Sequence, residues 1–294
     1  MLRLIVNADD FGLTSGVNRA IVEASRNGVV TSATLMANSQ AFQDAVDLAK
    51  AEPQLKVGCH IVLIDGEPLC GGLNSLTKGA AKFRSSIKDF AIAAVRKRIA
   101  PDEIQREAEA QIRKTQSAGI AVTHVDTHKH THLFPHVLRP VLKAAKACGV
   151  GAVRNPFEPP RTWPRHLMAI PSLWMRVIQV ALLQKFAASF RKIVLEENML
   201  TTDGTIGVSA TGNLDQKLLN EITQALPAGT WELVCHPGYL DADLETAGTR
   251  LLHSRQVELA ALTSEETKQN LTERGIQPIS YADLQTIVNP GAGY

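Results

Sequence analysis

The sequence predicts an α/β protein, with a closed or distorted (β/α) barrel favoured over a doubly wound open sheet, and three observations carry this. Strand and helix patterns alternate along most of the 294 residues, which argues for a parallel sheet covered by helices. That length suits one barrel, since such barrels commonly use ~250 residues as a single unit. Asp or His also stands at or near the carboxyl ends of four separate strands, the side on which barrels and open α/β sheets carry their active sites. Periodicity alone does not separate the two architectures.

Residues 2–9, LRLIVNAD, read as the first strand. SGVNRAIVEASRNG (15–28) reads as the first helix, with Val17, Ala20, Ile21 and Ala24 at helical spacing, Ser15 as N-cap and Gly28 as the stop. SATLMAN (32–38) and AFQDAVDLAKAEP (41–53) give the second strand and helix. KVGCHIVL (56–63) is the third strand, followed by a long helical stretch broken at Pro101. GIAVTHVDTH (119–128) is another strand, and HVLRPVLKAAKACG (136–149) is mostly helical despite Pro140. LDQKLLNEITQAL (214–226) is amphipathic and leads to the strand TWELVCHP (230–237). Two helical segments follow from about 254 to 274, the second opened by a capping box from Thr263 to Glu266.

Asp9 and Asp10 end the first strand side by side. Like charges so close repel, and burying either unpaired is costly, so the pair marks either a turn or a bound cation. His60 sits in KVGCHIVL, Asp126 and His128 end AVTHVDTH, and His236 ends WELVCHP. A lone strand histidine is more often a packed core residue than a ligand, but four strands with the same placement argue for a shared site. The most specific local feature is HVDTHKHTH (124–132). At period two, His124, Asp126, His128, His130 and His132 would share one face of an extended strand. Imidazole nitrogen and carboxylate oxygen are ligands of Zn²⁺ and related ions, and a carboxylate also orients a ligating histidine through its other ring nitrogen. All five cannot bind one ion, so some back the ligands, face substrate or serve structure. A solvated His-rich loop is the alternative reading. Pro237 and Gly238 mark a sharp turn that presents His236, while Cys59 and Cys235 point to the opposite side as packing residues.

With 45% hydrophobic and 20% charged residues the chain has ample core, and a net charge of +2 gives no overall reason to expect nucleic acid. Cysteines 59, 70, 148 and 235 form no CxxC and no disulfide framework. Strand-like residues follow Met1 directly where a secretory signal would stand, so the expected compartment is the cytoplasm. The longest apolar stretch, 166–184, is interrupted by Pro171 and Arg176 and makes a poor transmembrane span.

NADDFG near the N-terminus, VGCHIVL and DGEPL between 57 and 69, THVDTHKHTHLFP at 123–135 and ELVCHPG at 232–238, in this order, resemble the YdjC-like carbohydrate deacetylases. That family includes chitooligosaccharide and hopanoid-associated deacetylases. The resemblance implies a distorted barrel that removes acetyl groups from N-acetylated sugars with one divalent metal ion, Mg²⁺ by family resemblance. Carried over by position, it makes Asp10, His60 and His128 the metal ligands, Asp9 the base and His236 the protonated acid. His124, Asp126, His130 and His132 are left to back the ligands or bind substrate. A set of one carboxylate and two imidazoles suits Zn²⁺, Co²⁺ or Fe²⁺ better than Mg²⁺ on softness, so the metal's identity stays open. Lys129 stands where chitooligosaccharide enzymes tend to have a histidine, so their exact substrate is not carried over.

The expected organisation is a single catalytic domain, 1–294, with a variable lid or interface segment around 161–212. Between Arg161 and Val194 there are six Lys or Arg and no Asp or Glu, with Trp163 and Trp174 among many aliphatic residues. This segment reads as a lid at an anionic membrane surface or as a helix packed on the barrel or a second subunit. The packing reading is favoured, and a homodimer is expected. The expected partner is an N-acetylated saccharide. The alternatives are another metal hydrolase, such as a phosphoesterase, and a non-catalytic sugar- or lipid-binding protein. The first lacks a Gly-rich phosphate cradle or Arg cluster in the sequence.

Overall fold

The computed structural model describes residues 1–159 and 174–284. Its strands are β1 (Leu2–Phe11), β2 (Ser32–Leu35), β3 (Lys56–Ile61), β4 (Val125–Thr127), β5 (Gly204–Ile206), β6 (Gly229–Cys235) and β7 (Ile276–Pro278). They pair in parallel in the order β4-β3-β2-β1-β6-β5. β1 is the centre. Its Leu4, Ile5 and Val6 are all buried, and an unbroken apolar run is what a strand covered on both faces requires. β7 pairs with Leu2 to Leu4 at the start of β1, and β2 pairs with Asn7, Ala8 and Phe11 at its end. Beyond β4 the sheet continues through bridges rather than a regular strand. Val125 pairs with Val153, Ala152 with Leu200, and Thr205 N–H donates to Phe157 O at 3.1 Å. Residues 152–157 thus connect β4 to β5, and the sheet curls into a distorted barrel.

The described helices are α1 (Ser15–Arg26), α2 (Phe42–Ala51), α3 (Asn74–Thr77), α4 (Ile87–Val95), α5 (Pro101–Ser117), α6 (Pro135–Ala147), α7 (Trp174–Leu183), α8 (Ala187–Glu196), α9 (Gln216–Ala225), α10 (Ala242–Thr246), α11 (His253–Thr263) and α12 (Glu265–Glu273). Val17, Ala20, Ile21 and Ala24 of α1 are buried, as their spacing predicts. The cap is Thr14 rather than Ser15: its side chain accepts Val17 N–H at 3.2 Å. Ser264 rather than Thr263 likewise caps α12, accepting Thr267 N–H at 3.1 Å. Proline opens both α5 and α6, where its missing N–H has no helical partner to lose, and α6 runs on through Pro140. Cys59 and Cys235 are free, buried packing residues. No helix among the described residues is long and apolar enough to cross a membrane.

The expected strand 119–128 is regular only from Val125 to Thr127. At His128 the chain turns into a short 3-10 segment, His128–Leu133, in which Lys129 and His130 adopt φ of 54° and 53°. The alternating row from His124 to His132 therefore does not form. Side chains predicted to share one face are dispersed around the barrel's rim and interior. Of the basic segment, Trp163, Leu167, Met168 and Leu173 lie outside the described residues.

Candidate active site

The β1–β2 register breaks between Ala8 and Phe11, and there Asp10 adopts φ 64°, a left-handed conformation uncommon for a side chain with a Cβ. Both aspartates are buried, and each has its own arginine. Arg154, wholly buried, donates from Nη1 to Asp9 Oδ2 at 2.8 Å and from Nη2 to Asp9 Oδ1 at 2.6 Å. The same guanidinium reaches Glu232 Oε1 at 2.7 Å and Asp126 Oδ2 at 2.5 Å. Arg255, also buried, donates to Asp10 Oδ2 at 2.5 Å. Burial by itself raises a carboxyl pKa. Arg154 outweighs that for Asp9 and Asp126, and Arg255 outweighs it for Asp10, so all three are held below the usual carboxylate range.

Asp10 keeps Oδ1 for something else. It lies 3.4 Å from His128 Nδ1 and 3.7 Å from His60 Nε2, and those two ring nitrogens are 3.2 Å apart. His60 Nδ1 lies 2.7 Å from Asp126 Oδ1, which fixes its proton there and turns the Nε2 lone pair toward Asp10 and His128. Asp65 Oδ2, 3.7 Å from His128 Nε2, supports His128 from its other side. Ligand atoms bonded at ~2.1 Å to a single ion stand about 3.0–3.4 Å apart, so these donors fit a divalent cation with little movement. Electrostatics agree. Burial lowers a histidine pKa, yet Asp10 and Asp65 hold His128 up to about 9, and Asp126 likewise raises His60. The pocket is short of positive charge. Asp9, His60 and Asp126 form a second close group, but Arg154 already sits on both of its carboxylates.

On the other side of Asp9, His236 Nε2 approaches Oδ2 to 3.9 Å, while the His236 backbone N–H donates to Glu258 Oε2 at 2.6 Å. Burial pushes the His236 ring down to about 4 against the pull of Asp9. Gly238, in the same CHPG turn, leaves room for Arg255: a Cβ there would meet Arg255 Cδ at 2.8 Å. The glycine thus serves the site at a distance, by letting the arginine reach Asp10.

A model of the YdjC-like protein family matches residues 3–273. The chain belongs to the YdjC-like carbohydrate deacetylase family. It is 36% identical over 284 residues to a protein from Brevibacillus brevis named carbohydrate deacetylase, covering 96% of this chain and all of that one. A Geobacillus stearothermophilus protein of the same name is 33% identical, over 95% of this chain and 97% of the other. A crystal structure from Enterococcus faecalis, described provisionally as a cellobiose-phosphate cleavage protein, superimposes with a TM-score of 0.75 at 26% identity, covering 96% of this chain and 98% of that one.

Of the residues singled out in this YdjC-like sequence, Asp9, Asp10, His60, Asp126, His128 and His236 converge. The other histidines do not join them. His124 stacks on Tyr281, with centroids 3.7 Å apart and planes at 10°, and its Nδ1 meets Thr123 Oγ1 at 2.9 Å. His132 spans Thr127 Oγ1 at 2.7 Å and Arg154 O at 3.1 Å, so it braces the arginine that holds Asp9. His130 has a buried Nδ1 with no partner among the described residues. Sequence reasoning missed Arg154, Arg255, Glu258, Glu232, Asp65 and Thr34. Thr34 Oγ1 lies 3.2 to 3.4 Å from His60 Nδ1, Asp126 Oδ2 and Asp9 Oδ1. Asp65 and Glu232 had a signal, standing inside the quoted DGEPL and ELVCHPG stretches.

Proposed function

We propose that the chain is a metal-dependent hydrolase that removes the acetyl group from an N-acetylated amino sugar, in an oligosaccharide or a lipid-linked glycan, releasing acetate. One observation carries the reading: Asp10 Oδ1, His60 Nε2 and His128 Nδ1 lie within 3.7 Å of one another, beside the separately anchored Asp9. The family membership and the relatives' names supply the substrate class.

An amide is a poor electrophile with a poor leaving group. A divalent ion held by Asp10, His60 and His128 supplies Lewis acidity for the acetyl carbonyl and lowers the pKa of the attacking water. Asp9 takes the water's proton. Its carboxylate is clamped through both oxygens by Arg154, which fixes the direction of transfer and makes Asp9 a weak resting place for a proton. His236, 3.9 Å from Asp9, takes that proton from Asp9 and donates it to the departing sugar nitrogen. Asp126 holds His60 in its tautomer, and Thr34 fills the space between Asp9, His60 and Asp126. The phosphoesterase alternative is weaker, because Arg154 and Arg255 are both engaged by carboxylates.

Mass spectrometry across a panel of N-acetylglucosamine compounds tests the reading, the expected product differing from its substrate by one acetyl replaced by hydrogen. His60→Ala and His128→Ala should lose both bound metal and this product. Full metal occupancy with normal turnover in both variants would overturn the ligand assignment.

A further inference from the structure

We infer that α4 and α7 form a peripheral docking surface for an anionic lipid bilayer. Most of the large apolar side chains exposed among the described residues lie on these two helices: Ile87, Ile92 and Val95 on α4, and Trp174, Ile178 and Leu182 on α7. α4 buries Phe90, Ala93 and Ala94 against the core. At 100° per residue, that leaves Ile92 and Val95 at its outer crest, flanked by Lys88 and Arg96. Val95 and Leu182 are 60% and 65% exposed.

The charge around them is predominantly positive; Asp89, the one acid of α4, is paired with Lys78. Lys88, Arg96, Lys97 and Arg98 are exposed, and none has a carboxylate within ion-pair distance among the described residues. Lys185 and Arg191 add to this from the other side. The two helices are tied to one place on the fold. Phe186, just beyond α7, packs edge-on against Phe134 at 5.7 Å, and His136 Nε2 meets Ile99 O, just beyond α4, at 2.7 Å. Phe134 and His136 follow directly on the His128–Leu133 turn.

The sign of the charge selects the occupant. A two-fold contact between copies of this chain would place the patch against itself, mostly cation against cation, which disfavours self-association at this face. Nucleic acid matches the charge but gives Ile92, Val95 and Leu182 nothing to bury against. A bilayer rich in anionic headgroups satisfies both, taking the aliphatic crest into the acyl boundary and the cations at its surface.

The test is co-sedimentation of the full-length protein with vesicles of phosphatidylcholine containing phosphatidylglycerol, and with phosphatidylcholine alone. Binding should occur with the anionic vesicles and fall about tenfold between low and physiological salt, as screening shortens the reach of the charges. Ile92→Glu/Val95→Glu should abolish binding while the thermal transition and deacetylation of a soluble substrate stay unchanged. Absence of anionic-vesicle binding, or binding indifferent to salt or to the double substitution, overturns the inference. So does a solution dimer that the double variant breaks, or tight binding of an RNA homopolymer without vesicle binding.

Discussion

Exchanging each aspartate of the pair for asparagine separates their roles. Asp9 accepts both Nη groups of Arg154, at 2.8 and 2.6 Å, and Asn7 Nδ2 at 3.0 Å. Asp9→Asn keeps the shape, but with its one amide oxygen toward Arg154 Nη2 and Asn7 Nδ2 its NH₂ faces Arg154 Nη1, which also donates. Removing one member of a buried ion pair costs ~3–5 kcal/mol. Arg154 keeps Glu232 and Asp126, so the loss should lie at the lower end of that range. Catalysis suffers more. A missing general base typically costs ~10²–10⁴ in rate, about 2.7–5.4 kcal/mol of barrier. Metal binding should survive, because Asp9 is not among the three converging donors. Asp10→Asn behaves differently: a neutral amide oxygen is a poorer ligand than a carboxylate, so metal affinity falls, and excess metal restores part of the activity. The assay measures bound metal and turnover of both variants across a metal titration, with thermal denaturation to track folding. Rescue of Asp9→Asn by metal, with no rescue of Asp10→Asn, would show that the two roles are reversed.

Three further outcomes follow from the same geometry. Asp126→Asn removes the charge behind His60 and leaves one amide oxygen for two donors, His60 Nδ1 and Arg154 Nη1, and should weaken metal binding ~10–100-fold; unchanged affinity in a competition titration would rule out that supporting role. Gly58→Ala should destabilise by ~1–3 kcal/mol through overpacking, since a Cβ there would meet the His124 ring at 2.5 Å and the His124 carbonyl at 2.7 Å; an unshifted urea midpoint would refute the contact. Burial pushes His124 down to about 3 and His132 to about 4, so the native state binds fewer protons than the unfolded chain. Their contribution is full above the unfolded pKa near 6.5 and is lost as pH falls from there toward 4, at up to ~1.4 kcal/mol per pH unit for each group. Urea midpoints of metal-free protein should drop between pH 7 and pH 5, and equal midpoints would contradict the assignment of both as buried neutral histidines.

Local chemistry marked out much of this protein. Leu4, Ile5 and Val6 identify β1 as a buried strand because an unbroken apolar run has no solvent face, and Val17 to Ala24 identify α1 because 3.6-residue spacing puts them on one stripe. Asp9, Asp10, His60, Asp126, His128 and His236 were legible because each closes or adjoins a strand, and strand ends in this architecture converge on one side. The histidine run misled because alternation reads as a strand wherever backbone angles are invisible; the left-handed φ at Lys129 and His130 breaks the period just after His128. β5 and β7, at three residues each, are too short to carry a period. Arg154 and Arg255 were illegible for a different reason. Arg154 lies 145 residues from Asp9 and Arg255 lies 245 from Asp10, and an arginine alone in a sequence looks like a solvated surface residue. Sequence alone determined that two carboxylates would stand together at the end of β1. Only the curled sheet could deliver a separate buried guanidinium to each, and that pairing lets both stay ionised, with Asp9 clamped through both oxygens and Asp10 through one.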